Sequence, residues 1–287
     1  MSRRRLGAEL RRLREDAGMT LEQAANALEC SMSKISRLET GKGLPKQRDV
    51  RDLTRLYGKA AEGRLEPLLR LAREGARAGW WQEYTPLLTA EPFVFDGADR
   101  YVALESDASW LRAYDPTCFH GLLQSEVYIR GLLGAVLPHH PQDEIEKLVE
   151  FRLRRQEVLT RNDSPLEVHE VIDESVFRRT VGDDAVMVRQ LDHLIELSSL
   201  ANLTIQILPF TAGFLRATGA GQFLVLGFDY TADQDVVFVE SHSGTSFLEG
   251  DFGVETFKRM FEDVRARALG PLESLEWMRR ERASYQP

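Results

Sequence analysis

The chain has 287 residues, of which 43% are hydrophobic and 29% are charged, and its formal net charge is -8. This composition can bury the core of one large domain or of two ordinary ones, and the sequence lacks the run of about 18 apolar residues that a membrane span requires. The basic start has no apolar stretch of the signal-peptide type, and two cysteines are too few for a disulfide framework, so we expect a cytoplasmic protein without a membrane partner.

The charge is distributed unevenly along the chain. Residues 1–60 carry 14 Lys and Arg against 8 Asp and Glu, whereas the remaining residues carry 23 against 37. A basic segment attracts polyanions, and an acidic one is repelled by them. We therefore expect the basic segment, and not the acidic remainder, to bind nucleic acid.

The first 75 residues predict an all-helical domain of five helices. Leucine and alanine recur at helical spacing from Leu6 to Ala17, and Gly18 can end that helix in the left-handed conformation. The same periodicity returns in residues 21–28, 35–38, 50–57 and 65–72. The domain therefore consists of short helices.

Two caps define the second and third of these helices. Thr20 is followed three residues later by Gln23, which is the pattern of a capping box. Ser31 can cap the third helix, and Gly41 can end it. The third helix is therefore short and directly follows the second.

The stretch TLEQAANALECSMSKISRLETGKG, residues 20–43, has the pattern of a DNA-reading unit. Such a unit needs polar side chains toward the bases, apolar ones behind them and a preceding helix at a fixed angle. Ile35 and Leu38 supply the apolar side. The stretch resembles the helix-turn-helix of the XRE family of phage-repressor and Cro-like regulators, over residues 6–75, although Glu29 stands in the turn where that family often has glycine. The resemblance implies a sequence-specific regulator that binds double-stranded DNA.

The resemblance also implies which residues bind DNA. Met32, Ser33, Ser36 and Arg37 would face the major groove, where arginine can bind guanine and methionine can contact a thymine methyl group. The residues placed for backbone phosphates are Thr20, Lys34, Lys42 and Gly43, the last through its amide. Glu39 is expected to bond within the domain. The alternative for SMSKISR taken alone is a solvated helix face.

From residue 79 onward the sequence predicts a second, larger α+β domain with about four strands, so that the chain is α+β overall. Helices are expected at 99–114, 122–136, 142–161, 184–201, 253–268 and 271–282. The runs predicted as strands are 166–172, 203–210, 222–228 and 235–241. We therefore predict two domains, 1–78 and 79–287.

This second part resembles the C-terminal domain of actinobacterial WhiJ-like transcriptional regulators, over about residues 80–280. The matching sequence segments include YVALESDASWLRAYDP, GLLQSEVYIRGLL, VIDESVFRR and GQFLVLGF. The resemblance implies a small protein partner encoded nearby. Together with the DNA-reading pattern, this predicts a nucleoid-associated homodimeric repressor that is controlled by that partner or by a small-molecule effector. The alternative is an antitoxin-like protein that neutralises a small partner protein and only autoregulates.

The sequence shows no catalytic or metal-binding pattern. His139 and His140 are adjacent, which suits neither helical metal ligation nor a zinc motif and favours a surface loop. SHSGTS, residues 241–246, lacks the pattern of a hydrolase nucleophile elbow. Cys118 and His120 could form a catalytic dyad, but a buried or capping histidine is the favoured interpretation. We predict no enzyme, no cofactor and no metal.

Seven aromatic residues in the segment 80–114 favour packing in a core or between domains, with a ligand pocket as the alternative. Two of them, Trp110 and Tyr114, lie four residues apart on one face of a predicted helix. The seven are Trp80, Trp81, Phe93, Phe95, Tyr101, Trp110 and Tyr114.

Overall fold

The computed structural model describes residues 2–41, 43–76, 79–88, 97–162, 164–228, 234–241 and 244–285. The described residues form two units, one up to Trp80 and the other from Trp81 onward. None of the helices in these ranges is both long and apolar enough to cross a membrane.

The first unit is built from α-helices around one core. Their bounds are α1 (Ser2–Asp16), α2 (Leu21–Ala27), α3 (Met32–Glu39), α4 (Gln47–Leu56), α5 (Lys59–Glu62) and α6 (Leu65–Ala76). Leu10, Ile35 and Leu53 are among the side chains buried in the core. The five predicted helices are α1 to α4 and α6, and the four-residue α5 is additional.

Glycine is required at several points of this unit. Gly18 and Gly41 follow α1 and α3 with φ angles of +67° and +69°, so the predicted left-handed ends are confirmed. Gly7 lies where α1 crosses the end of α3. A Cβ atom at Gly7 would come within 2.6 Å of the carbonyl oxygen of Leu38 and still closer to that of Glu39. The close contact between the two helices therefore depends on the missing side chain.

The second unit contains a mixed sheet. Its strands are β1 (Trp110–Asp115), β2 (Glu167–Asp173), β3 (Leu203–Leu208), β4 (Phe223–Gly227), β5 (Val236–Ser241) and β6 (Gly244–Glu249). The order is β3-β2-β1-β4-β5-β6, with β1, β2 and β3 parallel and the pairs from β1–β4 to β5–β6 antiparallel. The predicted α+β class is confirmed, and the sheet has six described strands rather than about four.

Along the chain, helices precede, separate and follow the strands of this sheet. They are α7 (Thr85–Leu88), α8 (Ala98–Asp107), α9 (Glu126–Val136), α10 (Gln142–Gln156), α11 (Glu174–Arg178), α12 (Asp184–Leu197), α13 (Arg216–Ala220), α14 (Asp251–Arg267) and α15 (Pro271–Ser284). Short 3-10 helices span Trp80–Tyr84, Gly121–Leu123, Glu157–Leu159 and Phe210–Ala212. Helix α14 contacts five of the strands, and its Phe261 and Val264 are fully buried.

The predicted helix over 99–114 is wrong in its second half. Helix α8 ends at Asp107, and residues 110–115 form β1, the strand between β2 and β4. A separation of four residues puts Trp110 and Tyr114 on the same face of a helix and also of a strand, so the spacing could not distinguish the two. Trp110 packs directly over Gly227 of the neighbouring β4, where a Cβ atom would clash with the indole. Pairing within the sheet decides this segment.

Strand β6 is, besides β1, the other described strand that the sequence did not predict. It pairs only with β5 and forms one edge of the sheet. Its side chains are half-buried or exposed, and none is fully buried. An edge strand of this kind lacks the continuous apolar run from which buried strands are recognised.

Candidate nucleic-acid interface

The caps of α2 and α3 are formed as the sequence predicts. The Thr20 hydroxyl oxygen accepts a hydrogen bond from the Gln23 amide at 3.1 Å, and the Gln23 side-chain oxygen accepts one from the Thr20 amide at 2.8 Å. The Ser31 hydroxyl accepts one from the Lys34 amide at 3.2 Å. The capping box and the serine cap are therefore confirmed, and they fix where the two helices begin.

The turn between α2 and α3 accommodates a glutamate in the left-handed conformation. Glu29 has a φ of +49°, a value that glycine adopts more readily. The Glu29 amide donates to the Asn26 carbonyl at 3.2 Å, and the Cys30 amide donates to the Ala25 carbonyl at 2.9 Å. These two bonds hold the turn, so the departure from glycine leaves the helix-turn-helix geometry in place.

Helix α3 is anchored at its end by a buried ion pair. Nε and Nη2 of Arg14 donate to the two carboxylate oxygens of Glu39, at 2.8 and 2.9 Å, and Nη1 donates to the Met19 carbonyl at 2.8 Å. The hydrogen bond with Glu39 raises the pKa of the Arg14 guanidinium. The expectation that Glu39 bonds within the domain is confirmed. One side chain thus ties α1, the following turn and α3 together.

The outward face of α3 carries the predicted base-reading residues. Ile35 and Leu38 are 1% and 5% exposed and form the inner face. Met32 is 53% exposed, and Arg37 is also exposed. Of the serines, Ser33 is exposed and Ser36 half-buried. Positions 32, 33, 36 and 37 share one helix face.

The residues predicted to contact phosphates differ in their exposure and in their hydrogen-bond partners. Thr20 is exposed at the start of α2. Lys34 is exposed, and its Nζ is 2.7 Å from a carboxylate oxygen of Asp49. The Gly43 amide donates to the Arg37 carbonyl at 2.7 Å, so this amide is engaged within the domain when no DNA is bound, and its phosphate contact stays a prediction. Lys42 lies outside the described residues.

Two basic residues that the sequence analysis did not assign lie beside α3. Lys46 and Arg48 are exposed at the start of α4 and line a groove together with Lys34 and Asp49. Lys46 is the N-cap residue, and no side chain caps α4. The start of a helix attracts anions through its amide groups. The KQR motif at the start of a predicted helix is the signal that could have identified them.

In the second unit, the electrostatics of Cys118 and His120 oppose a catalytic dyad. His120 is 3% exposed, and its Nε2 is 3.3 Å from the Tyr101 hydroxyl. Burial raises the pKa of the Cys118 thiol to about 11, and burial lowers the pKa of His120. A reactive thiolate and imidazolium pair requires shifts in the opposite directions. The prediction of a buried histidine is confirmed.

The other histidine motifs and the aromatic residues lie in turns, strands and buried positions, or outside the described residues. His139 and His140 lie in the turn between α9 and α10. Of SHSGTS, residues 242–243 lie outside the described residues and the part from Gly244 belongs to β6. In the described ranges, no group of three or more His, Cys, Asp or Glu side chains could hold a metal ion. Of the aromatic group, Tyr101 and Tyr114 are buried, and Phe93 and Phe95 lie outside the described residues.

Two family models match the chain. The first is described as a helix-turn-helix domain and covers residues 5–66. The second is described as a domain of unknown function (DUF5753) and covers residues 98–280. Neither a curated protein nor a solved structure matches. Because a helix-turn-helix reads DNA, the first match indicates a DNA-binding regulator rather than an enzyme. The second match spans more than half of the sequence, and the chain therefore belongs to the DUF5753 family, with a helix-turn-helix domain preceding that domain.

Proposed function

We propose that the protein is a sequence-specific transcriptional regulator of the XRE type, a homodimeric repressor. Residues 1–78 are the DNA-binding domain, and residues 79–287 are a WhiJ-like domain that receives a signal from a small protein or a small molecule. The observation that carries the proposal is the outward face of α3, which combines an exposed Arg37 with an exposed Met32. The buried pair of Arg14 and Glu39 holds that face in a fixed position.

The base contacts follow from the chemistry of this face. The Arg37 guanidinium can donate two hydrogen bonds to the major-groove edge of guanine, and Met32 can contact a thymine methyl group. The hydroxyl groups of Ser33 and Ser36 can form hydrogen bonds with either acceptors or donors on base edges. Each good contact discriminates against the wrong base by about 1 to 3 kcal/mol.

Basic and capping residues around α3 supply phosphate contacts. Lys34, Lys46 and Arg48 are exposed along one groove, and Thr20 starts the preceding helix. Lys42 belongs to the same proposed set. Each neutralised phosphate makes the slope of log affinity against log salt more negative by about 0.9. We therefore expect binding that weakens steeply with salt.

The homodimer follows from the small size of the reading helix. Helix α3 has 8 residues, so one copy can contact only a few base pairs. Two copies related by a two-fold axis read an inverted repeat, whose half-sites lie about 34 Å apart or a multiple of that distance. The second domain supplies the dimer contact and receives the signal.

The test is selection of bound duplexes from a random pool by the full chain, followed by footprinting on the enriched sequence. The expected result is an inverted repeat that is protected on one face of the DNA. An enriched sequence without two-fold symmetry contradicts the homodimer, and a pool without enrichment contradicts sequence-specific reading. The same assay with the product of the neighbouring small gene tests control by a protein partner, which should change DNA affinity.

A further inference from the structure

A cavity of about 200 Å³ lies in the second unit, between the segment 118–124, helices α9 and α10, and strands β4 and β5. A water molecule occupies about 30 Å³ in the liquid, so the cavity has the volume of roughly seven water molecules, which is enough for a small organic solute. Its inner wall is buried at Tyr101 and His120, whereas Val136, which is 54% exposed, and Glu240 lie at its rim. A solute can therefore enter from the rim.

One end of the cavity is cationic and rigid. Nη1 of Arg152 donates to the side-chain oxygen of Gln124 at 2.9 Å, and Nε2 of Gln124 donates to the Phe119 carbonyl at 2.6 Å. Gln124 is only 2% exposed, so it holds the guanidinium in one orientation. An orientated guanidinium is suited to a carboxylate, which it binds through paired hydrogen bonds.

Both cationic and anionic side chains lie near Arg152. Arg155 is engaged by both oxygens of Glu105, at 2.9 and 2.8 Å, in a fully buried pair. Burial and the neighbouring Arg155 lower the pKa of Arg152 to about 10, so it stays cationic at neutral pH. Burial raises the pKa of Glu240, and Arg152 opposes that shift. The cavity wall thus carries a cationic group, Arg152, and an acidic group at the rim, Glu240.

His120 adds a polar group to the inner wall. Its Nδ1 has no hydrogen-bond partner among the described residues, and a carboxylate oxygen of Glu170 lies 3.8 Å from it. Because burial lowers its pKa, the imidazole is neutral and can either accept or donate one hydrogen bond at this nitrogen. Buried polar atoms without a hydrogen-bond partner are rare in folded proteins.

Much of the remaining wall is apolar. Leu132 and Leu133 come from α9, Leu224 from β4 and Phe238 from β5. Ligand sites commonly combine such apolar walls with a few orientated polar groups. A charged solute without an apolar body would leave these walls in contact with water.

We propose that this cavity binds a small zwitterion with the chemistry of an apolar α-amino acid. The carboxylate meets Arg152, the ammonium group is directed toward Glu240, and the apolar body packs against the leucines and Phe238. The inference rests on the proposed regulatory function only in taking this ligand to be the signal, since binding itself follows from the cavity.

The test is calorimetric titration of the full chain with L-leucine, with 4-methylpentanoate, which lacks the ammonium group, and with 3-methylbutylamine, which lacks the carboxylate. We expect leucine to bind, the acid to bind at least several-fold more weakly and the amine not to bind. Absence of leucine binding overturns the proposal, and so does an amine that binds as well as leucine.

Variants make the test specific. Arg152→Gln should weaken leucine binding at least tenfold, while the matched control Arg154→Gln, on the exposed side of the same helix, should not change it. Glu240→Gln, at the rim, should weaken leucine binding and leave that of 4-methylpentanoate unchanged. Glu240→Gln decides the question even where Arg152→Gln does not fold. Unchanged leucine binding in both variants overturns the proposal.

DNA binding with and without leucine separates this proposal from the proposed function. Leucine that binds and changes DNA affinity supports both. Leucine that binds without changing DNA affinity supports the cavity and contradicts its role as the signal site. A chain that binds leucine but never enriches a DNA sequence supports the cavity and contradicts the regulator.

Discussion

Arg14 and Glu39 form a bidentate ion pair, with both hydrogen bonds at 2.8 to 2.9 Å and side-chain exposures of 9% and 4%. The pair joins the end of the DNA-reading helix α3 to α1. A charge buried in this way is costly to leave without its partner. The position of α3 therefore depends on both residues together.

Arg14→Met should destabilise the first unit by about 3 to 5 kcal/mol, because it leaves the Glu39 carboxylate buried without its partner. Urea denaturation of the full chain, followed through the transition of the first unit, measures the loss. The control is Arg11→Gln, which breaks the exposed pair of Arg11 and Glu15 and should cost less than about 1 kcal/mol. Equal effects of the two substitutions would show that the buried pair has no special role.

Gly7→Ala should also destabilise the first unit, by about 1 to 3 kcal/mol, because the added methyl group meets backbone carbonyls of Leu38 and Glu39 that cannot rotate away. Gly134→Ala is the control. Its Cβ meets nothing within 4 Å, and alanine favours a helix over glycine by about 0.5 to 1 kcal/mol, so it should stabilise α9. Hydrogen exchange of the amides in each unit measures both effects. A neutral Gly7→Ala would mean that α1 can move away from α3 at no cost.

Arg37→Ala should cost about 1 to 3 kcal/mol in DNA binding and relax the preference at one base pair, because it removes a base contact. Lys34→Ala should weaken binding to all sequences alike and reduce the salt slope by about one, because it removes a phosphate contact. Titrations against the selected duplex and a scrambled one, at several salt concentrations, distinguish the two results. If neither the preferred sequence nor the salt slope changes, α3 is not the reading helix.

Asp49→Asn should tighten DNA binding, by about 0.5 to 1 kcal/mol, whatever the sequence. Asp49 holds the Lys34 ammonium group at 2.7 Å in a partly exposed pair, and its removal releases that charge for phosphate. In the double variant with Lys34→Ala the gain should vanish, since the two substitutions act through one contact. A gain of equal size in both backgrounds would mean that Asp49 only repels DNA at long range.

Glu170→Gln should change how stability depends on pH. Burial, and then the nearby Asp115, raise the pKa of Glu170 well above its usual range. Between the unfolded-state pKa of about 4.3 and the higher folded-state value, the folded chain keeps a proton that the unfolded chain releases. The contribution of Glu170 to the free energy of unfolding is therefore fully present below that pH window, and it falls as pH rises through the window.

The glutamine variant lacks this fall, so it should gain stability relative to the natural chain as pH increases across the window, by at most about 1.4 kcal/mol per pH unit. Urea denaturation at a series of pH values measures the difference. Glu167→Gln, at an exposed position of the same strand, is the control for the substitution itself. A pH-independent difference for Glu170→Gln would contradict the shift.

Much of the first unit is determined by interactions between residues three to six positions apart. The capping box of Thr20 and Gln23, the cap at Ser31 and the left-handed Gly41 each involve neighbours in sequence, so the order of residues is sufficient to predict them. The outward face of α3 follows from the same local periodicity. For these features, the local chemistry and the final structure agree.

Features that depend on residues distant in sequence were decided only by the tertiary structure. Residues 110–115 are a strand because β2 and β4 pair on either side of them, although their spacing fits a helix equally well. Lys34 meets Asp49, and Arg152 meets Gln124, across turns that sequence periodicity does not describe. The cavity beside Arg152 exists only where two helices and two strands converge. Local periodicity specifies which face of an element is buried, but only packing specifies which element covers it.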